Sequence, residues 1–395
     1  MRKNAVDKCL QYIDGGVCAP MGFTAAGMHV DLSLEKDEGY SHENVALLLS
    51  NRYCTAACEF LSGKTQGVCA AVNQKHLKMQ FARGVFLNGE IAFTQKSDVK
   101  TMERVCFEVG KGLQVPDEEV LLATCGLSGK RLPLQPMADG VKAMLKVASN
   151  TQACAESAAR AISKSGVAQT FACKFDLGNY PYTIGTLYAG ETATTCVLTT
   201  DVSISAPMLR KALATAVKDT LALLQHEGER SPNSIVCILA SGAVGNYCIA
   251  QEDNEYEKFL DALESVLHKV AYGLASDCGE KRVLTCSVEN TKSKRVSRAL
   301  AKSVVHGLTI KETLCKGDFP LNGILSALCA GDEPFAVEKI SVTVRSKKGE
   351  FLLYDNGRAL AYEKSVAEGI ICGENLTIVV DCKAGNYGSV AYGGF

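Results

Sequence analysis

The residues best placed to do chemistry lie near the middle of the chain, in TIGTLYAGETATTCVLTTD, Thr183 to Asp201, where a hydroxyl-rich run separates a glycine-bearing turn from an apolar strand. Thr194 is its centre. Ala193 is small, so the Thr194 hydroxyl can approach the Ala193 carbonyl closely, and Thr195, Cys196, Val197 and Leu198 continue as a β-rich segment. A cut between Ala193 and Thr194 would give Thr194 a free α-amine, which can take the proton from its own hydroxyl and make it nucleophilic at neutral pH. The run also reads as an ordinary half-buried strand, since β-branched threonine packs well there for purely structural reasons. Spacing alone leaves both readings open.

Other polar clusters point less sharply to chemistry. In VLLATCGLSGKRLP, Thr124, Cys125, Gly126, Ser128 and Gly129 form a turn of small residues whose backbone N–H groups can face an oxyanion. His29 has no second His, Asp or Glu at ligand spacing in its element, which favours a core histidine over a ligand or base. SGKTQG, from Ser62 to Gly67, looks like the tail of a phosphate-binding loop, but Cys58 stands where that loop requires glycine. The eighteen cysteines include no CxxC pair and sit mostly singly in apolar runs such as SIVCILA, so they read as reduced thiols used as small hydrophobes.

The elements that must position these residues follow from hydrophobic period. Asp14 to Val30 reads as a tightly turning buried loop, Asn44 to Ser50 as a buried strand and Thr55 to Leu61 as a separate element after it. Strands are expected over Phe81 to Asn88, Val120 to Ala123, Phe171 to Leu177, Ile235 to Ala240 and Val283 to Val288. Helices are expected over Asp98 to Leu113, Leu134 to Val147, Ala153 to Ser163, from Pro207 with Ser205 as N-cap, and over Tyr256 to Leu274. Lys292, Lys294, Arg295 and Arg298 lack interleaved aromatics and read as a solvated helix face. From Val337 the period becomes two, and Asp355, Asn356 and Gly357 supply a tight hairpin turn.

Strands alternating with helices, closed by antiparallel strands, predict an α/β (α+β) fold of layered sheets and helices. With 395 residues the chain can bury a large core, and 47% hydrophobic with 22% charged residues is ordinary for a globular protein. A formal net charge of −1 argues against nucleic acid and acidic membranes as partners. The sequence has neither a signal-peptide pattern nor an apolar run of membrane-spanning length, so a cytoplasmic protein with no membrane association is expected.

Several stretches, in the same order along nearly the whole chain, resemble the ornithine acetyltransferase (bifunctional glutamate N-acetyltransferase) family. GGVCAPMGFTAAG is similar to its opening motif, VLLATCGLSGKRLP to VLVASTGVIGxxLP, and ETATTCVLTTD to MATMLxFxxTD with one residue deleted after Thr194. EGERSPNSIVCILASG resembles DGDTSTNDTVxxLAxG, and DCGEKR resembles DGEGATK. Lys311 sits where the family has the lysine of VKT, and LTIVVDCKAGNYGSVAYG is similar to its penultimate strand and glycine turn.

The resemblance implies an acyltransferase that moves an acetyl group from N-acetylornithine, or a related N-acyl amino acid, to glutamate through an acyl-threonine intermediate. Thr194 would be the nucleophile, Ala193 and Thr194 the cleavage pair, Cys125 and Gly126 the oxyanion positions, and Thr183, Glu280 and Lys311 substrate-binding positions. Residues 1–193 and 194–395 would be the two cleavage segments, held together, in an oligomer. No metal or cofactor is expected, with acetyl-CoA open as an acetyl donor. The alternatives are a hydrolytic variant acting on N-acyl compounds and a diverged homologue without catalysis. The motifs differ chiefly at chemistry-bearing positions: Cys125 replaces the oxyanion threonine, Thr183 the substrate lysine, and Ser163 to Gly166 the MTTD motif. Asn88, Gly89 and Glu90 shorten NSGNAN, Glu280 matches the acidic ligand only with a one-residue shift, and the terminal segment carrying an asparagine and a threonine has no counterpart.

Overall fold

The structure, a computed structural model, describes residues 10–32, 42–61, 66–92, 98–128, 133–190, 193–224, 231–277, 282–331, 333–373 and 375–395. Two compact units are present: one takes in residues 1–217 and 230–266, the other residues 218–229 and 267–395.

The first unit contains β1 (Gln11–Ile13), β2 (Phe23–Met28), β3 (Val45–Phe60), α1 (Val68–His76), β4 (Phe81–Asn88), β5 (Ile91–Ala92), α2 (Val99–Leu113), β6 (Val120–Thr124) and β7 (Leu127–Ser128). There follow α3 (Leu134–Val147), α4 (Gln152–Arg160), β8 (Thr170–Leu177), β9 (Tyr180–Ala189), β10 (Thr195–Thr200), α5 (Ala206–Asp219), whose last residues from Lys218 belong to the second unit, and β11 (Ile235–Ala240). A long helix, α6 (Asn254–Asp277), carries the chain onward. Nine strands form one sheet in the order β1-β8-β9-β10-β11-β3-β4-β6, with β2 paired to β3. Both faces are covered. Ala46 and Leu48 of β3 join a cluster with Ala155, Ala158 and Ala159 of α4, whereas Val45, Leu47 and Leu49 join one with Val105 and Val109 of α2 and Val141 of α3. That two-sided burial is why these strands are near-continuous apolar runs in sequence.

Two expectations change here. Asn44 to Ser50 and Thr55 to Leu61 belong largely to one strand, β3, whose pairing to β4 shifts register between Leu49 and Cys54. The exposed residues Asn51, Arg52 and Tyr53 interrupt the apolar run there, so a continuous strand looks like two. The glycine-rich opening is also not all loop, because Phe23–Met28 pairs antiparallel with Val45 to Ser50 of β3. Gly15 and Gly16, with φ of 105° and 51°, confine the turning to its first half.

The second unit contains β12 (Val283–Thr291), α7 (Lys294–Val305), α8 (Leu308–Cys315), α9 (Leu321–Cys329), β13 (Ser341–Ser346), β14 (Gly349–Asp355), β15 (Arg358–Ala359), α10 (Lys364–Ile371), β16 (Asn375–Asp381) and β17 (Tyr387–Gly394). Its six-stranded sheet runs β15-β14-β13-β16-β12-β17. Asn356 and Gly357, with φ of 45° and 80°, close the expected hairpin between β14 and β15. The basic cluster opening α7 is not simply a solvated face. Arg298 pairs with Asp219, whose side chain is only 6% exposed, and Lys294 lies 3.7 Å from the same carboxylate. A carboxylate buried that deeply requires a cationic partner.

Among the described residues, no helix is long and apolar enough to cross a membrane.

Candidate active site

Thr194 lies immediately before β10, which pairs antiparallel with β9 and parallel with β11. It is 2% exposed and Ala193 5%, so the peptide joining them is shielded from bulk water. The Thr194 N–H donates to Ser234 Oγ at 3.2 Å, and the Thr194 carbonyl accepts from the Ile235 N–H at 2.8 Å. Ser234 is itself fixed: its N–H donates to the Ser231 carbonyl at 3.1 Å and its carbonyl accepts from the Leu61 N–H at 3.1 Å. Beside this framework, Thr195 Oγ1 and both polar side-chain atoms of Asn233 are buried with no hydrogen-bond partner. Orphaned polar atoms in a core normally cost about 1–3 kcal/mol each.

Cys125 and Gly126 follow β6. The Cys125 N–H donates to the Asn88 carbonyl at 2.9 Å, and its thiol is turned toward the carbonyls of Asn88 and Ile162 at 3.8 and 3.4 Å. Gly126 has φ of 110°, and a Cβ there would stand 2.4 Å from the backbone of Gly89 and Glu90, so only glycine fits. β6 runs in the same direction as β10, which sets Cys125 and Thr194 at opposite strand ends along the ladder. Cys125 and Ala193 nevertheless line one apolar cluster.

Thr183 is buried in β9, with its N–H donating to Asp201 Oδ1 at 2.8 Å. Burial pushes the Asp201 carboxyl up, against the lowering effect of the Thr183 and Met21 N–H groups. Ala189, not Thr183, faces Thr195 across the β9–β10 ladder. Six residues of strand, about 20 Å, separate Thr183 from that end, so it is not gathered with Thr194. Lys311 belongs to the second unit, where it is 8% exposed in α8 and lines a cavity of about 510 Å³ with Leu308, Glu312, Cys315, Lys316 and Phe395. Glu280 lies outside the described residues, as does most of SGKTQG. His29 is exposed, with Nδ1 2.9 Å from the His42 carbonyl, and is therefore not a core histidine. Among the described residues no group of three or more His, Cys, Asp or Glu side chains could hold a metal ion.

The ArgJ family model matches residues 24–394. The chain belongs to the ArgJ family. Among its relatives, the arginine biosynthesis bifunctional protein ArgJ of Caldanaerobacter subterraneus subsp. tengcongensis is 24% identical, covering 97% of this chain and 96% of that protein. The glutamate N-acetyltransferase of Methanothermobacter thermautotrophicus is 25% identical over 97% of this chain and 95% of its own length. A solved structure of arginine biosynthesis bifunctional protein argJ from Bacillus halodurans gives a TM-score of 0.46 at 20% identity, covering 50% of this chain and 92% of that one.

For an ArgJ family chain, the residues that motif reading did not single out are Ser234 and Asn233. Both lie in SPNSIVC, directly before an apolar strand. Two buried polar residues at the mouth of a core strand were a visible signal. Their relation to Thr194 was not, because it depends on β10 and β11 pairing in parallel across forty residues of chain.

Proposed function

We propose that this ArgJ family chain is an acyltransferase of the N-terminal-nucleophile type, moving an acetyl group from N-acetylornithine or a related N-acyl amino acid to glutamate. Thr194 is cut free from Ala193 by its own hydroxyl, then attacks the donor's acyl carbon and holds the acyl group as an ester until the acceptor amine takes it. Cys125 and Gly126 are the oxyanion positions in this reading, with the Cys125 N–H itself taken by the Asn88 carbonyl, and one such donor is worth roughly 2.7–4 kcal/mol. Lys311 and Glu280 keep their proposed parts as substrate ligands, while Thr183, held at the Asp201 end of β9, has the weakest support. The reading needs no resident cofactor, leaves acetyl-CoA as a second donor, and places the work in the cytoplasm. It involves neither nucleic acid nor membrane.

The observation that carries it is the buried Ala193–Thr194 peptide, whose nitrogen rests on a hydroxyl at the head of a central strand. Strands on both sides of the cut belong to one sheet, so the fragments 1–193 and 194–395 would stay associated through β9 and β10; assembly of the pair into an oligomer belongs to the same proposal. Intact mass under denaturing conditions tests it. Two fragments, one beginning with threonine and both abolished by Thr194→Ala, together with acetyl transfer from N-acetylornithine to glutamate, are the expected result. Release of acetate without any acceptor would move the assignment to hydrolysis, and an uncut, inactive chain would move it to a homologue without catalysis.

A further inference from the structure

We propose that Ser234 is the positioning residue for the Thr194 nitrogen, first as leaving group during self-cleavage and then as the amine that activates the Thr194 hydroxyl. This rests on the Thr194 reading above. Ser234 is 4% exposed, its backbone is tied to Ser231 and Leu61, and its Oγ accepts the Thr194 N–H at 3.2 Å. The adjacent Ile235 N–H holds the Thr194 carbonyl at 2.8 Å. One short segment therefore grips both backbone polar atoms of the nucleophile.

In the cleavage step, Thr194 Oγ bonds to the Ala193 carbonyl carbon, the bond from that carbon to the Thr194 nitrogen breaks, and the proton lost by Oγ ends on the nitrogen. Water then hydrolyses the ester, releasing the Ala193 carboxyl group and Thr194 with a free amine and hydroxyl. Throughout, the N–H held by Ser234 turns the nitrogen's developing lone pair away from Ser234. In the mature enzyme the same contact keeps that lone pair available to the Thr194 hydroxyl. Because serine is neutral, it holds the amine without stabilising the ammonium form as a carboxylate would. A carboxylate in contact with an amine whose ordinary pKa is about 7.7–8.0 raises it by about 1–3 units.

The test compares the wild type with Ser234→Ala, Ser234→Thr and Ser234→Asp, following self-cleavage by intact mass and acetyl transfer as a function of pH. Ser234→Ala is expected to slow both steps roughly 10- to 100-fold, with Ser234→Thr restoring them. Ser234→Asp is expected to move the acid limb of the transfer profile upward by about 1 unit or more, a shift that a purely structural serine would not produce. A wild type that cleaves, with an alanine variant of equal rate and an aspartate variant of unshifted profile, overturns the role of Ser234 and leaves Thr194 standing. Should the alanine variant fail to fold, an unshifted aspartate profile overturns the role by itself. A wild type that never cleaves overturns both readings together.

Discussion

In the first unit, β10 and β11 are buried at every position, and the polar groups gathered at their heads are neutral: Thr194, Thr195, Asn233 and Ser234. In the second unit, β13 and β16 alternate between well-buried and more accessible residues, and a buried carboxylate, Asp219, is matched by Arg298 and Lys294. The second unit meets this buried carboxylate by charge pairing. The first leaves Thr195 Oγ1 and the Asn233 amide without partners. The contrast separates a charge-matched cluster at Asp219 from a neutral polar group at the head of β10, and the proposed role of Thr194 belongs to the latter.

Substitutions can break that contrast. Thr194→Ala should have the largest effect, abolishing self-cleavage and lowering acetyl transfer by roughly 10³-fold or more while the thermal midpoint hardly moves; a lost fold instead would make Thr194 structural. Arg298→Ala should act in the opposite sense, destabilising by about 2–4 kcal/mol because Asp219 is left buried and short of its main partner. Urea unfolding would show this, with transfer at low denaturant retained. Gly126→Ala should cost about 1–3 kcal/mol or more, since it combines a left-handed backbone with a backbone clash at 2.4 Å. Its transfer rate should fall as well if the turn holds the oxyanion.

The smallest effect concerns pH. Burial, reinforced by Lys294 and opposed by Asp219, lowers His268 in the second unit from the usual 6.5 to about 4. The folded form then binds fewer protons than the unfolded chain between those values. Its contribution to stability is complete above pH 6.5 and declines as pH falls toward 4, by at most about 1.4 kcal/mol per unit. His268→Gln should flatten that part of a stability profile measured by urea unfolding; an unchanged slope would show that His268 is not responsible.

Much of the architecture could be read from period alone. Phe81–Asn88, Leu134–Val147 and Ile235–Ala240 have the expected bounds because their apolar residues are contiguous or helically spaced and their ends carry clear breaks. Val45–Phe60 was harder, since its solvent-exposed middle interrupts the apolar signal while β4 pairing resumes beyond it. Among candidate residues, motif order singled out Thr194, Cys125, Gly126 and Lys311. It could not show that the Cys125 thiol turns to the Asn88 and Ile162 carbonyls.

By itself the sequence determined the chemical types available: a threonine after a small residue, a turn of small residues around Gly126, apolar-run strands before Val337 and a period of two after it, and membership of one family. These are local or colinear properties, carried by side-chain volume, branching and period. Tertiary structure alone decided which groups meet. Ser234 reaches Thr194 because two strands pair in parallel, Asp219 finds Arg298 across 79 positions of chain, and Thr183 lies at the far end of the ladder from Thr194. Such meetings are set by register and packing between distant segments, and no spacing along one chain encodes them directly.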